Sequence, residues 1–322
     1  VFWIFITVTI KLKFMKFLKL LIITGVLLSS CSTVFEDDFR AQEISLEQVV
    51  SKYDLWYVDY HRTIGNGDIP FVSRAFTLSF LNGILYANNN IADIGFTGNG
   101  LGIDVGSYNT FSGILETIHD LDGSNDFEVT VTSSNEIRLY NYRQNVTYFL
   151  IGYQTNTFDY DQLFYENIEY FLQEYDAWEK ILTAGGVVNP FDNENYLRFT
   201  PESITTFYSS QDNFGTQVAG VNWSYVGGYE VYDVLGFQNL KILTLNYDGG
   251  DVEEFELSVV NDGKIRLYNL ASEATYDFEG RGYIQYLKGD TPKKSRKAAV
   301  RNSDRKRTKI KRQTKKRRGS LK

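Results

Sequence analysis

Two stretches of this chain repeat each other, and any fold proposed for it has to accommodate the repeat. Phe127-Glu128-Val129-Thr130-Val131 and Ile137-Arg138-Leu139-Tyr140-Asn141 return 128 residues later as Phe255-Glu256-Leu257-Ser258-Val259 and Ile265-Arg266-Leu267-Tyr268-Asn269. Thr147-Tyr148 and Thr275-Tyr276 keep that offset, whereas Tyr53-Asp54-Leu55-Trp56 and Tyr175-Asp176-Ala177-Trp178 lie 122 apart. A few residues were gained between these landmarks, and two copies of one domain are the natural reading. With 322 residues, 43% of them hydrophobic, the chain can bury a core in each copy without disulfides or metals.

Aromatic residues make up 16% of the chain, and such side chains suit a half-buried pleated surface. Each copy opens with a short helical stretch, marked by Leu46, Val49 and Val50 in the first and by Ile168, Phe171 and Leu172 in the second. A tryptophan follows, and the rest alternates as strands do. Asn82-Gly83 supplies the positive φ of a tight hairpin between Ala75–Phe80 and Ile84–Ala87, and Asn261-Asp262-Gly263 does the same between Glu256–Val260 and Lys264–Tyr268. The pattern predicts a mainly β protein: two tandem homologous antiparallel domains, each a β-barrel or a β-sandwich and each preceded by a short helix. Copy 1 is expected over residues 45–155, and a connecting helix with copy 2 over 156–290.

The N-terminal region reads as a targeting segment. Lys16 and Lys19 precede an apolar run over 20–28 that is too short to span a bilayer comfortably, and small residues close it at Ser29-Ser30-Cys31. Met15 begins this pattern, so residues 1–14 are expected to precede the true start. Leu28-Ser29-Ser30-Cys31 resembles the bacterial lipobox, which implies cleavage before Cys31, a diacylglycerol on its thiol and an acyl chain on the new amine. Several acyl chains on one residue anchor stably, since each buried methylene contributes about 0.8 kcal/mol. Cys31 is the only cysteine, so no disulfide framework competes for it. Residues 1–30 are thus an upstream extension and signal peptide, and 31–44 an acidic tether. Glu36-Asp37-Asp38 within that tether resembles the surface-export signal of Bacteroidetes lipoproteins; a solvated acidic spacer is the alternative.

Helix, early tryptophan, a Phe before a turn and late hairpin strands together resemble the lipocalin-like domains of Bacteroidetes lipoproteins. Leu197-Arg198-Phe199, Trp223-Ser224-Tyr225 and Ile242-Leu243-Thr244-Leu245 carry the likeness best, over roughly 45–155 and 167–285. The arrangement as a whole resembles a family of uncharacterised flavobacterial lipoproteins, some labelled nicotinic acid mononucleotide adenyltransferase. Adenyltransferases of that class carry H-x-G-H at a helix start on a parallel sheet, and His61-Arg62-Thr63-Ile64-Gly65 does not supply it.

Charge divides the chain sharply. Residues 291–322 hold 16 Lys or Arg against Asp304 alone, a net +15, while residues 31–290 stand near −26. So basic a tail cannot bury enough apolar surface to fold by itself and is expected to be disordered. Its partners are expected to be an anionic component of the envelope, such as the lipid phosphates of the outer membrane, extracellular DNA, or the acidic body itself. No aromatics interleave with its charges, which argues against single-strand stacking, and counterion release alone selects no nucleic-acid sequence.

Few residues carry chemistry. Asp120-Leu121-Asp122-Gly123-Ser124-Asn125-Asp126 has the D-x-D-G-x-x-D spacing of extracellular calcium loops, making Asp120, Asp122 and Asp126 the metal candidates and calcium the ion. The competing reading is a polar hairpin turn before the strand at Phe127. His61 and His119 form no H-x-x-H pair, and with one cysteine a zinc site has no ligand set. Gly98-Asn99-Gly100-Leu101-Gly102 lacks the strand-turn-helix setting of a dinucleotide fingerprint. No catalytic motif is found. The expectation is a lipid-anchored outer-membrane protein, on the periplasmic face or the cell surface, acting as a non-enzymatic binding or structural module whose ligand the sequence does not reveal. A calcium-stabilised surface adhesion module is the alternative.

Overall fold

The computed structural model describes residues 44–200, 205–284 and 310–317. Cys31, the leader and the acidic tether lie outside the described residues.

Copy 1 begins with helix α1 (Leu46–Val50) and runs through β1 (Leu55–Val58), β2 (Ile64–Gly65), helix α2 (Pro70–Arg74), β3 (Thr77–Leu81), β4 (Ile84–Asn88), β5 (Ile103–Phe111), β6 (Ile114–His119), β7 (Gly123–Ser133), β8 (Glu136–Asn141) and β9 (Val146–Tyr153). Successive strands pair antiparallel, and β9 returns to β1 from Leu55↔Tyr153 to Val58↔Leu150. That pairing closes eight strands into a barrel and decides between the two expected architectures; β2 only extends one edge along β9. Asn82 and Gly83 both take positive φ, +52° and +79°, and join β3 to β4 as the dipeptide predicts.

After helices α3 (Tyr160–Glu166) and α4 (Ile168–Leu172), copy 2 repeats the barrel with β10 (Tyr175–Ala184), β11 (Tyr196–Phe199), β12 (Thr206–Ser210), β13 (Tyr225–Val234), β14 (Phe237–Tyr247), β15 (Val252–Asn261), β16 (Lys264–Asn269) and β17 (Thr275–Tyr283). It closes where β10 meets both β11 and β17.

The duplication extends to single hydrogen bonds. Trp56 Nε1 donates to the Val50 carbonyl at 2.7 Å, and Trp178 Nε1 donates to the Leu172 carbonyl at 2.9 Å, so each indole ties the entrance helix to the first strand. Opposite each tryptophan stands a glycine, Gly152 or Gly280. A Cβ there would lie 2.2 Å from the Tyr53 ring or 2.4 Å from the Tyr175 ring. Every second residue faces inward, as in β9, where Val146, Tyr148 and Leu150 are buried. A proline-started turn plugs one end of each barrel, placing Phe71 in the first core and Phe191 in the second.

Both barrels belong to one compact unit, and they share apolar contacts. Phe76 meets Tyr170 edge-on with ring centres 5.8 Å apart, and Ile91, Ala92 and Ile94 join the core of copy 2. The buried Glu174 carboxylate accepts from the backbone N–H groups of Ile91 and Ala92, the latter at 2.8 Å.

The tail corrects one expectation. Residues 310–317 are ordered against copy 2, with β18 (Thr314–Lys315) parallel to the end of β13. The physical reason is a splayed seam: β12 pairs with β13 only over Tyr225–Gly228, and beyond Tyr229 that side of β13 meets no other described strand than β18. Backbone groups at an open sheet edge accept an added strand. The remainder of the basic tail lies outside the described residues.

Candidate functional site

Alternation along β15 buries Phe255 and Leu257 and turns Glu254 and Glu256 outward, while β13 presents Tyr232 and Asp233 beside them. Glu169, in the first turn of α4, borders the same seam. These groups form an acidic face on the outside of copy 2, and the basic segment lies along it.

Its centre is Arg312. The guanidinium donates from Nε and Nη2 to the two carboxylate oxygens of Glu169 at 2.6 and 2.9 Å, from Nη1 to Asp233 Oδ1 at 2.9 Å, and from Nη2 also to the Glu166 carbonyl. This is the forked geometry that arginine alone supplies. Both members are enclosed, with side chains 7% and 5% exposed. Burial works against the charge on Arg312, but the hydrogen bonds and charges of Glu169 and Asp233 outweigh it and hold its pKa above the ordinary value. Asp233 also accepts from Lys241 Nζ at 2.6 Å; burial is overcome by Lys241 and Arg312, and its pKa is lowered. The backbone continues the grip, Asp233 N–H donating to Gln313 O at 3.0 Å and Leu235 N–H to Lys315 O at 3.1 Å.

Further along, Lys315 Nζ donates to Glu254 Oε1 at 2.6 Å and sits 3.8 Å from the centre of the Tyr232 ring. Arg317 makes a forked pair with Glu256 at 2.8 and 3.1 Å in a more open setting. Ile310 adds an apolar contact against the core of copy 2. The three cations meet four carboxylates in order, so the segment is held by charge and by strand addition. Breaking a buried pair such as Arg312–Glu169 costs about 3–5 kcal/mol, and an exposed one about 0–1 kcal/mol. Arg312 is therefore the contact whose loss should cost the segment most.

A second polar group of residues sits inside the plugged end of copy 2. Lys180, only 1% exposed, donates to the Asp192 carbonyl at 2.6 Å, and burial lowers its pKa to about 8 against the opposing pull of Asp192 and Glu194. Burial raises the Glu194 carboxyl, which accepts from Tyr247 OH at 2.6 Å, and burial likewise raises Tyr247. Ser209 is fully covered at the same end. Such a set resembles acid–base machinery in composition; Lys180, Glu194 and Ser209 are buried and Tyr247 is half-buried.

The residues expected to bind metal are not brought together. Asp120 and Asp122 lie in the turn between β6 and β7, while Asp126 is on β7 opposite Glu116, about 10 Å beyond the turn at 3.3 Å per residue. Gly123, at φ +72°, serves that turn, and Asp126 pairs with Arg143 at 3.4 Å. Among the described residues no group of three or more His, Cys, Asp and Glu side chains is arranged to hold a metal ion. His119 is buried, stacked on Phe71 at 4.9 Å, and accepts at Nδ1 from the Asp122 N–H at 3.1 Å. Burial lowers its pKa, so it is a neutral core residue. The Gly98–Gly102 stretch overlaps a short 3-10 turn, Thr97–Gly100, and is not a phosphate loop. No helix among the described residues is long and apolar enough to cross a membrane.

Glu169, Asp233, Glu254 and Glu256 were not singled out by sequence reasoning. The signal that points to them is the opposition of a basic tail to an acidic body, together with outward glutamates alternating with Phe255 and Leu257. No protein family, no curated protein and no solved structure matches the chain.

Proposed function

We propose that the protein is a lipid-anchored, non-enzymatic binding module of the bacterial outer envelope, related to the duplicated lipocalin-like lipoproteins of flavobacteria. Acyl chains on Cys31 hold it to the membrane, on the periplasmic face or at the cell surface. The acidic seam of the second barrel recognises an extended basic peptide, and the chain's own residues 310–317 occupy it. The remaining tail cations are left for anionic envelope components, without nucleic-acid sequence preference. One observation carries the peptide reading: Glu169, Asp233 and the Glu166 carbonyl converge on a single enclosed guanidinium.

The test uses the full chain carrying Arg312→Ala, Lys315→Ala and Arg317→Ala, titrated with a synthetic peptide of the 310–317 sequence. Saturable binding that disappears with Glu169→Gln is expected. Absence of binding, or binding indifferent to Glu169→Gln, removes the peptide reading. For the anchor, metabolic palmitate labelling should be lost in Cys31→Ser, and retained label would refute it.

A further inference from the structure

A cleft of about 200 Å³ opens where α3 meets the first barrel, bounded by Tyr57, Tyr153, Phe158, Asp159 and Glu166. The Phe158 ring centre lies 6.3 Å from that of Tyr57 and 5.0 Å from that of Tyr153, so three aromatic rings cluster on one side. Two carboxylates also line the cleft. Asp159 uses Oδ1 to accept from the Gln162 N–H at 2.8 Å, and Glu166 uses Oε1 to accept from Gln162 Nε2 at 2.7 Å. Among the described residues neither carboxylate has a cationic side chain as partner.

Aromatic faces beside carboxylates are the chemistry that recognises an ammonium group, by attraction to the ring and by charge. The molecule uses the same pair of groups elsewhere, where Lys315 lies over the Tyr232 ring and donates to Glu254. The cleft also adjoins the arginine seat, since the Glu166 whose side chain lines it offers its main-chain carbonyl to Arg312.

We propose that this cleft is a second cation site, one that takes a primary ammonium group. The ammonium chemistry belongs to the cleft itself and does not depend on the peptide reading above. Phe158 and Tyr57 supply the ring faces and Glu166 with Asp159 the counter-charge. An apolar crevice would instead prefer an uncharged chain, and a glycan platform would prefer a pyranose.

The experiment is ligand-observed saturation-transfer NMR on the full chain with n-butylammonium as probe, and with 1-pentanol and methyl glucoside as uncharged comparisons. Butylammonium is expected to bind with a dissociation constant on the order of millimolar. Glu166→Gln, which keeps the hydrogen bond to Gln162, should weaken it roughly fivefold, and Phe158→Leu should do the same. Equal binding of pentanol, binding of the glucoside in its place, or indifference to Glu166→Gln would overturn the proposal. Butylammonium binding stands or falls separately from peptide titration at Glu169, so failure of one is told apart from failure of the other.

Discussion

Glu47 and Glu169 occupy the same place in the two copies, 122 residues apart in the entrance helix, yet they are satisfied differently. Glu47 is served from within its own barrel, accepting from Tyr108 OH at 2.7 Å and Thr110 Oγ1 at 3.4 Å. In copy 2 the matching tyrosine, Tyr229, takes its hydrogen bond from Gln173 Nε2 at 2.8 Å, and Val231 stands where Thr110 does. Glu169 is therefore left to Arg312, a donor from the far end of the chain. The plugged ends diverge the same way: Val58, Ala87, His119 and Asn125 of copy 1 correspond to Lys180, Ser209, Tyr247 and Glu253 of copy 2. One scaffold, kept by its tryptophans and glycines, thus holds a self-contained copy and one that depends on an added cationic segment.

The comparison breaks most visibly at Arg312. Arg312→Ala should lower stability by about 3–5 kcal/mol, less whatever water returns to Glu169 as the segment lifts, and urea unfolding of the full chain measures it. Should the loss stay under about 0.5 kcal/mol, Glu169 does not depend on the tail. Next in size, Gly152→Ala and Gly280→Ala should each cost about 1–3 kcal/mol, because the added methyl meets the Tyr53 or Tyr175 ring. Thermal unfolding of the two variants should give matched losses if the copies truly share this packing.

Lys180 sharpens the contrast at the plugged ends through pH. Its folded pKa of about 8 lies below the unfolded 10.5, so below pH 8 both states hold the proton and the full burial penalty applies. Between about pH 8 and 10 the unfolded state holds more protons, and this group's contribution makes stability rise with pH; above 10 the raised Tyr247 acts the other way. Lys180→Met should abolish that rise with little loss at neutral pH, since a buried charge is replaced by an apolar side chain of similar volume. A slope that survives in Lys180→Met would place its source elsewhere. Smallest of all, Arg317→Ala should change stability by less than about 1 kcal/mol, because its pair with Glu256 is partly exposed; a larger loss would mean the whole segment lifts with it.

Much of this scaffold is legible in the chain. The 128-residue repeat, the Asn82-Gly83 and Asn261-Asp262-Gly263 hairpins and the helix before each tryptophan all stand in the structure as elements. Barrel against sandwich is not legible, because strand alternation is the same in both and only the pairing of Leu55 with Tyr153 closes the ring. Asp120, Asp122 and Asp126 had a calcium loop's spacing, but hairpin pairing of β6 with β7 carries Asp126 away from the turn. The seat escaped for the opposite reason: Arg312 and Glu169 are 143 residues apart, and composition describes what the tail cannot do alone, not what an open strand edge does with it.

The dependence of copy 2 on an added cation is tested most directly by a double-mutant cycle in the full chain, combining Glu169→Gln with Arg312→Gln and following urea unfolding, with Glu47→Gln and Arg312→Gln as the parallel cycle. A coupling above about 2 kcal/mol at Glu169, with additivity within about 0.5 kcal/mol at Glu47, is the predicted result. Additivity at Glu169 as well would contradict the account, because the carboxylate would then be satisfied without the arginine.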